Sequence, residues 1–139
     1  ILNQYCPGKS TKPILIVEDD KAMREMLSRT LSKEGWKVKE AANGKVALEQ
    51  INREIPSMIL LDLLMPVMDG FTFLKELRKE ENWRDIPVLV ITSKDITKQE
   101  KKLLEEKVIT IFQKGAYTRE ELLNQVSVAI KQYIPKDNQ

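Results

Sequence analysis

The chain has 139 residues, 42% apolar and 32% charged, with a formal net charge of +2; that is the size of one domain with a sizeable apolar core and excludes a disordered chain. It holds no His and a single Cys, Cys6. That excludes Ser-His-Asp and Cys-His catalysis, imidazole-bound zinc, an intrachain disulfide and a multi-cysteine metal centre. The remaining chemistry must rest on carboxylates, Lys, Thr and a hard metal ion.

Residues 1–12 contain Pro7, Gly8, Ser10 and Thr11 without any period and read as a tail or linker. Residues 13–134 read as the domain, and 135–139 as a polar, frayed end. Strands are expected at Ile14–Val17, Trp36–Glu40, Met58–Leu61, Val88–Ile91 and Val108–Phe112. The first, third and fourth are almost continuously apolar, as in parallel strands covered on both faces. Helices fill the gaps. Met23, Met26, Leu27, Thr30 and Leu31 share a face of the first; Ala47, Leu48 and Ile51 mark the second, and Phe71, Leu74 and Leu77 the third. Leu103 and Leu104 sit in the fourth, and Leu122, Val126, Ala129, Ile130 and Tyr133 form the stripe of the fifth. Gly35 closes the first helix and Asn43-Gly44 breaks the chain before the second. Capping-box patterns at Thr97–Glu100 and Thr118–Glu121 start the last two. Alternating strands and helices predict a doubly wound α/β fold with right-handed crossovers.

The working site of such a sheet lies beyond the carboxyl ends of its strands. There stand Glu18-Asp19-Asp20, Asp62, Thr92-Ser93 and Gln113-Lys114-Gly115. Asp62 follows the apolar run Met58–Leu61, where a carboxylate is rigidly held yet meets solvent, a place suited to a nucleophile or a metal ligand. Mg²⁺ takes hard oxygen ligands and keeps several waters. Asp19 and Asp62 can each supply an oxygen, the backbone carbonyl of Leu64 a third, and Glu18 can act through a water. Beside the metal, Asp62 can attack phosphorus and form an acyl phosphate. Lys114 offers a mobile charge and Thr92 a hydroxyl to the phosphoryl oxygens. Singly, most of these residues have plainer readings: Asp20 as a helix cap, Thr92 as a strand-end residue, Lys114 as a surface Lys, and Asp69-Gly70 as a helix start. Their joint placement at successive strand ends is what selects phosphoryl chemistry.

With these residues the chain resembles a response-regulator receiver domain over residues 13–133. Val17–Asp20 looks like the acidic metal-binding segment, Asp62–Gly70 like the phosphoacceptor segment, Thr92-Ser93 like the switch hydroxyl and its small neighbour, and Lys114 like the family's Lys. The resemblance implies a flavodoxin-like five-stranded parallel sheet of order 2-1-3-4-5. It also implies Mg²⁺ (or Mn²⁺) and phosphoryl transfer from a histidine kinase or histidine phosphotransfer domain onto Asp62. Beyond this self-phosphorylation and self-dephosphorylation, no enzyme activity is expected. Lacking His, the chain cannot itself be the histidine member of the relay. The helix 4–strand 5–helix 5 face is the expected reporting surface and the place for a homodimer.

The sequence departs from the family pattern at three points. Gly115 stands where Pro usually follows the Lys, so a trans, differently shaped loop is expected. Ile111 replaces an aromatic residue three positions before the Lys, with Phe112 beside it, which weakens output by aromatic rotation. Leu64, two after Asp62, cannot hydrogen-bond a water, while Lys94, two after Thr92, is polar; slow self-dephosphorylation is expected.

A haloacid-dehalogenase-type phosphohydrolase needs a second Asp at position 64, and a nucleotide or flavin carrier needs a Gly/Ser/Thr-rich loop in place of Glu18-Asp19-Asp20. A degenerate receiver used as a scaffold would not keep the acids, Thr92 and Lys114 together. Lys and Glu interleave along 101–107, as on a solvated helix face and not as in a nucleic-acid footprint. No apolar stretch approaches membrane-spanning length and no signal peptide is visible, so a cytoplasmic site is expected. The missing initiator Met, the leading tail and the polar end read as a module excised from a hybrid histidine kinase or a longer regulator, and Gln113-Lys114-Gly115-Ala116-Tyr117 looks like the terminal receivers of such kinases.

Overall fold

The structure, a computed structural model, describes residues 12–134. Cys6 and the expected tails at 1–11 and 135–139 lie outside the described residues. Five strands, β1 (Ile14–Val17), β2 (Val38–Ala41), β3 (Met58–Leu61), β4 (Val88–Thr92) and β5 (Thr110–Gln113), alternate with α1 (Lys21–Lys33), α2 (Gly44–Arg53), α3 (Gly70–Lys79), α4 (Lys98–Glu105) and α5 (Arg119–Tyr133). All pair in parallel, in the order β2-β1-β3-β4-β5.

Alternation of side chains across each strand builds two apolar layers. Leu15, Val17, Ile59, Leu61, Val88 and Val90 face one layer, with Ala47 and Ile51 of α2, Phe73, Leu74 and Leu77 of α3, and Leu104 of α4. Ile14, Ile16, Met58, Leu60, Leu89 and Ile91 face the other, with Leu27 and Leu31 of α1 and Leu122, Val126 and Ile130 of α5. Every residue of β1, β3 and β4 is buried, which is why those segments carry unbroken apolar runs.

The expected start of the second strand is displaced. Trp36 belongs to the turn that ends α1: Gly35 takes φ 96°, its N–H donates to the Ser32 carbonyl at 3.0 Å, and the Trp36 N–H donates to that of Leu31 at 3.1 Å. This is a Schellman motif, with Trp36 buried beside Leu31 as its apolar contact. The fifth strand also begins two residues late: the Lys107 and Val108 N–H groups donate to the Leu104 carbonyl at 2.8 and 2.9 Å, so the turn that ends α4 keeps Val108 out of the ladder. In α5, Tyr133 is exposed and Ser127 is buried instead; its hydroxyl bonds both Glu34 carboxylate oxygens, at 2.7 and 2.8 Å. Both capping boxes form.

Candidate functional site

The sheet ladder carries the acids to their places. The Glu18 N–H donates to the Ala41 carbonyl and the Asp62 N–H to that of Val17, each at 3.0 Å, so β1 and β3 run one residue further as rigid rails. Asp20 ends that rail by capping α1: its Oδ1 accepts from the N–H groups of Ala22 and Met23 at 3.0 and 3.4 Å. Beyond Asp62, its own Oδ1 accepts from the Leu64 N–H at 3.1 Å. The Met68 N–H then donates to the Pro66 carbonyl at 2.7 Å, closing a γ-turn about Val67 at φ 70°. That is a strained conformation for a β-branched residue. Asp69 caps α3 through the Thr72 N–H at 2.8 Å. Gly70 is required here by close approach, since a Cβ would lie 2.6 Å from Leu63 Cα and 2.9 Å from the Asp62 carbonyl oxygen. The start of α3 thus backs the segment that carries Asp62.

Glu18, Asp19 and Asp62 each place a carboxylate oxygen within 4.8 Å of the others. Glu18 and Asp62 are buried and Asp19 is exposed, so the cluster opens to solvent on one side. Lys114 Nζ reaches in from the end of β5, 2.8 Å from Glu18 Oε1 and 3.4 Å from Asp62 Oδ2. Burial pushes the Glu18 carboxyl from 4.5 up to about 8; the Lys114 hydrogen bond opposes the rise and the Asp62 charge adds to it. For Lys114, burial favours the neutral amine, but the hydrogen bond to Glu18 and the charges of Glu18 and Asp62 outweigh it and raise the ammonium above 10.5. The first shift favours a neutral Glu18, whereas the second is driven by a charged one. Both directions hold together because one ammonium faces two carboxylates: Lys114 stays charged against them, while ionising the buried Glu18 beside Asp62 is costly for want of a second positive charge. The rise at Glu18 registers a pocket short of positive charge, which a divalent cation supplies. A donor set of hard carboxylate oxygens with an open side fits Mg²⁺ or Mn²⁺.

Thr92 ends β4 fully buried; its Oγ1 accepts from the Lys94 N–H at 3.1 Å. Ser93 beside it is exposed. Lys94 Nζ is engaged by Glu100 Oε1 at 3.1 Å. Leu64 lies on the surface at 47% exposure. No cis peptide bond occurs among the described residues, and Lys114-Gly115-Ala116 forms a short 3₁₀ turn. Ile111 packs in the α4 layer, whereas Phe112 lies in the α5 layer with its ring edge-on to Tyr117, centroids 6.0 Å apart. Phe112 therefore faces away from the layer that Ile111 joins and does not stand in for the missing aromatic residue.

Two residues join the site without having been assigned a role from sequence. Arg24 donates from Nη1 to the Glu18 carbonyl at 2.9 Å and from Nε to Glu40 at 3.0 Å, steadying the backbone under the acids. Gln113 Nε2 donates to the Lys94 carbonyl at 2.9 Å. Its place at a strand end was a signal; its main-chain partner had none.

Comparison with known proteins agrees with this geometry. A sequence profile of the response regulator receiver domain matches residues 14–127. The response regulator MprA of Mycobacterium leprae is 35% identical over 124 residues, 89% of this chain and 53% of the relative. The chain spans about half the length of the curated relatives it matches. The N-terminal domain of a response regulator receiver protein from Methanoculleus marisnigri JR1 superposes with a TM-score of 0.71 at 28% identity, covering 91% of this chain and 98% of that one. The receiver domain of sensor histidine kinase PA1611 from Pseudomonas aeruginosa PAO1, which holds a magnesium ion in its active-site cleft, gives 0.74 at 26% identity, covering 90% and 98%.

Proposed function

The chain belongs to the response regulator receiver domain family, and on that premise we propose that Asp62 is its phosphoacceptor. The observation that carries this reading is the convergence of Glu18, Asp19 and Asp62 within 4.8 Å, with Lys114 Nζ 3.4 Å from Asp62 Oδ2. The donor is the phosphohistidine of a histidine kinase or histidine phosphotransfer domain. An Asp62 carboxylate oxygen attacks phosphorus, the P–N bond breaks, its electron pair stays on the imidazole, and an acyl phosphate remains on Asp62.

Asp19, Asp62 and the Leu64 carbonyl would hold Mg²⁺ or Mn²⁺, with Glu18 acting through a water. The ion would offset carboxylate repulsion and neutralise charge on the transferring group. Lys114 places its ammonium against the phosphoryl oxygens. Thr92 and Ser93 lie at the end of the neighbouring strand, where the Thr92 hydroxyl can donate to the attached group. The Leu64 side chain has no polar atom to orient an attacking water, which favours a long-lived acyl phosphate; Lys94 commits its ammonium to Glu100. Turnover is limited to self-phosphorylation and self-dephosphorylation.

The α4–β5–α5 face is the proposed reporting surface and the face through which a second copy would dock. No described helix is long and apolar enough to cross a membrane, and the balanced charge of the chain favours a protein partner over nucleic acid. A cytoplasmic place follows from the partner. The test is intact mass after incubation with Mg²⁺ and acetyl phosphate. One added phosphoryl group is expected, and none with Asp62→Asn or without the metal. No gain in the unaltered protein with several small donors overturns the assignment.

A further inference from the structure

Gln113 is the last residue of β5 and stands beside Thr92 in the strand register. Its amide Nε2 donates to the Lys94 carbonyl at 2.9 Å. Lys94 also donates its N–H to Thr92 Oγ1 at 3.1 Å and pairs its ammonium with Glu100 Oε1 at 3.1 Å. That same Glu100 oxygen accepts from the Thr97 N–H at 3.1 Å and so completes the start of α4. One residue of the β4–α4 loop thus connects the switch hydroxyl, the N-terminus of α4 and the end of β5.

The two ends of α4 are held unequally. Past its C-terminus, Arg78 donates from Nη2 to the Lys107 carbonyl at 2.6 Å and from Nη1 to the carbonyls of Trp83, Arg84 and Ile86 at 3.2, 2.7 and 3.0 Å. These are bonds from a charged donor. At the N-terminal end, the side-chain hydrogen bond from β5 to the loop, among the described residues, is the neutral one from Gln113. α4 itself buries only Leu104, next to its C-terminal end, and ahead of its N-terminal end the loop residue Ile96 is only partly buried against the same apolar layer. An element tied firmly at one end, weakly at the other and scarcely packed between is suited to swing about its firm end.

We propose that Gln113 is a positioning residue: its bond to the Lys94 carbonyl holds the β4–α4 loop in the unphosphorylated arrangement, and its release passes the state of Asp62 to α4. The Thr92 oxygen is occupied as an acceptor, but its hydroxyl hydrogen has a new acceptor once phosphoryl oxygens sit on Asp62. As Thr92 turns inward, the Lys94 peptide follows its N–H and the carbonyl at its other side leaves Gln113. Ile111, two residues earlier on the same face of β5, has no polar side-chain atom to take this part. The proposal rests on the phosphoacceptor reading of Asp62.

Gln113→Met keeps the length of the side chain and Gln113→Glu its shape, and both remove the donor. With Mg²⁺ present, both variants should phosphorylate from acetyl phosphate about three- to tenfold faster than the unaltered protein. That is the shift in population when one neutral hydrogen bond stops favouring the unreactive state. A merely structural role predicts equal or slower phosphorylation. Independently of folding in the variants, the side-chain amide resonance of Gln113 in the unaltered protein should move when beryllofluoride is added with Mg²⁺. Variants at or below the unaltered rate, or an unmoved Gln113 resonance, overturn the proposal. An unaltered protein that gains no phosphoryl group defeats the phosphoacceptor reading itself; one that gains it while the variants only match its rate defeats the role of Gln113 alone.

Discussion

The ends of β1 and β3 and the end of β5 open onto one cleft, yet they are held differently. β1 and β3 are interior strands with every residue buried, and the ladder runs one residue further to fix Glu18 and Asp62. β5 is an edge strand with one buried residue, Phe112, and the helix before it buries one, Leu104. Chemistry on phosphorus requires acids held within a fraction of an ångström. Signalling requires an element with two arrangements close in free energy. The sheet supplies both by placing the acids at its centre and the movable helix at its margin.

The largest expected effect tests the central half. Asp62→Asn should abolish phosphoryl uptake while leaving the thermal transition in place; residual uptake at another residue, located by peptide mapping, would move the chemistry away from β3. Next comes packing. Leu60→Ala should cost about 2–5 kcal/mol, whereas Leu103→Ala, on the exposed face of α4, should stay within about 0.5 kcal/mol. Equal costs in urea unfolding would erase the difference between centre and margin.

A pH series probes the acids directly. A carboxyl raised from 4.5 to about 8 binds its proton more tightly folded than unfolded. In metal-free protein, stability should therefore fall as pH rises across that window. Mg²⁺ or Glu18→Gln should flatten the fall; a profile indifferent to both would mean that Glu18 ionises without cost. At the margin, Thr97→Ala should remove about 1 kcal/mol through the lost cap of α4, read as faster amide exchange confined to that helix. The smallest effect is a gain. Val67→Gly relieves the γ-turn and should stabilise by no more than about 1 kcal/mol, since glycine also loses entropy on folding. Destabilisation would place some other constraint on the loop after Asp62.

The centre of this fold was legible in the sequence and the margin less so, for a physical reason. β1, β3 and β4 are covered on both faces, so burial writes an uninterrupted apolar run that ends where the site begins. Around β2, Trp36 is apolar because it seals a turn, and this drew the predicted strand two residues too early. Val108 and Ile109 did the same for β5. Ser127 is buried through Glu34, which is 93 positions away in the chain and leaves no local trace. Asp62, Asp19, Glu18, Thr92 and Lys114 could be singled out because the strand-end rule selects side chains by place, and the structure brings the three acids and Lys114 together. Gln113 occupied an equally visible place, but a main-chain carbonyl has no residue type by which to recognise it.

The alternation along β5 makes that strand a reading frame with two outputs. Odd positions Ile111 and Gln113 serve the side of α4, and the even position Phe112 locks into α5. Deleting one residue upstream of Phe112 would exchange the two messages, turning the aromatic ring toward the loop and the amide into the apolar layer. Substitutions can retune this edge one face at a time, but a change of length within it scrambles both faces at once.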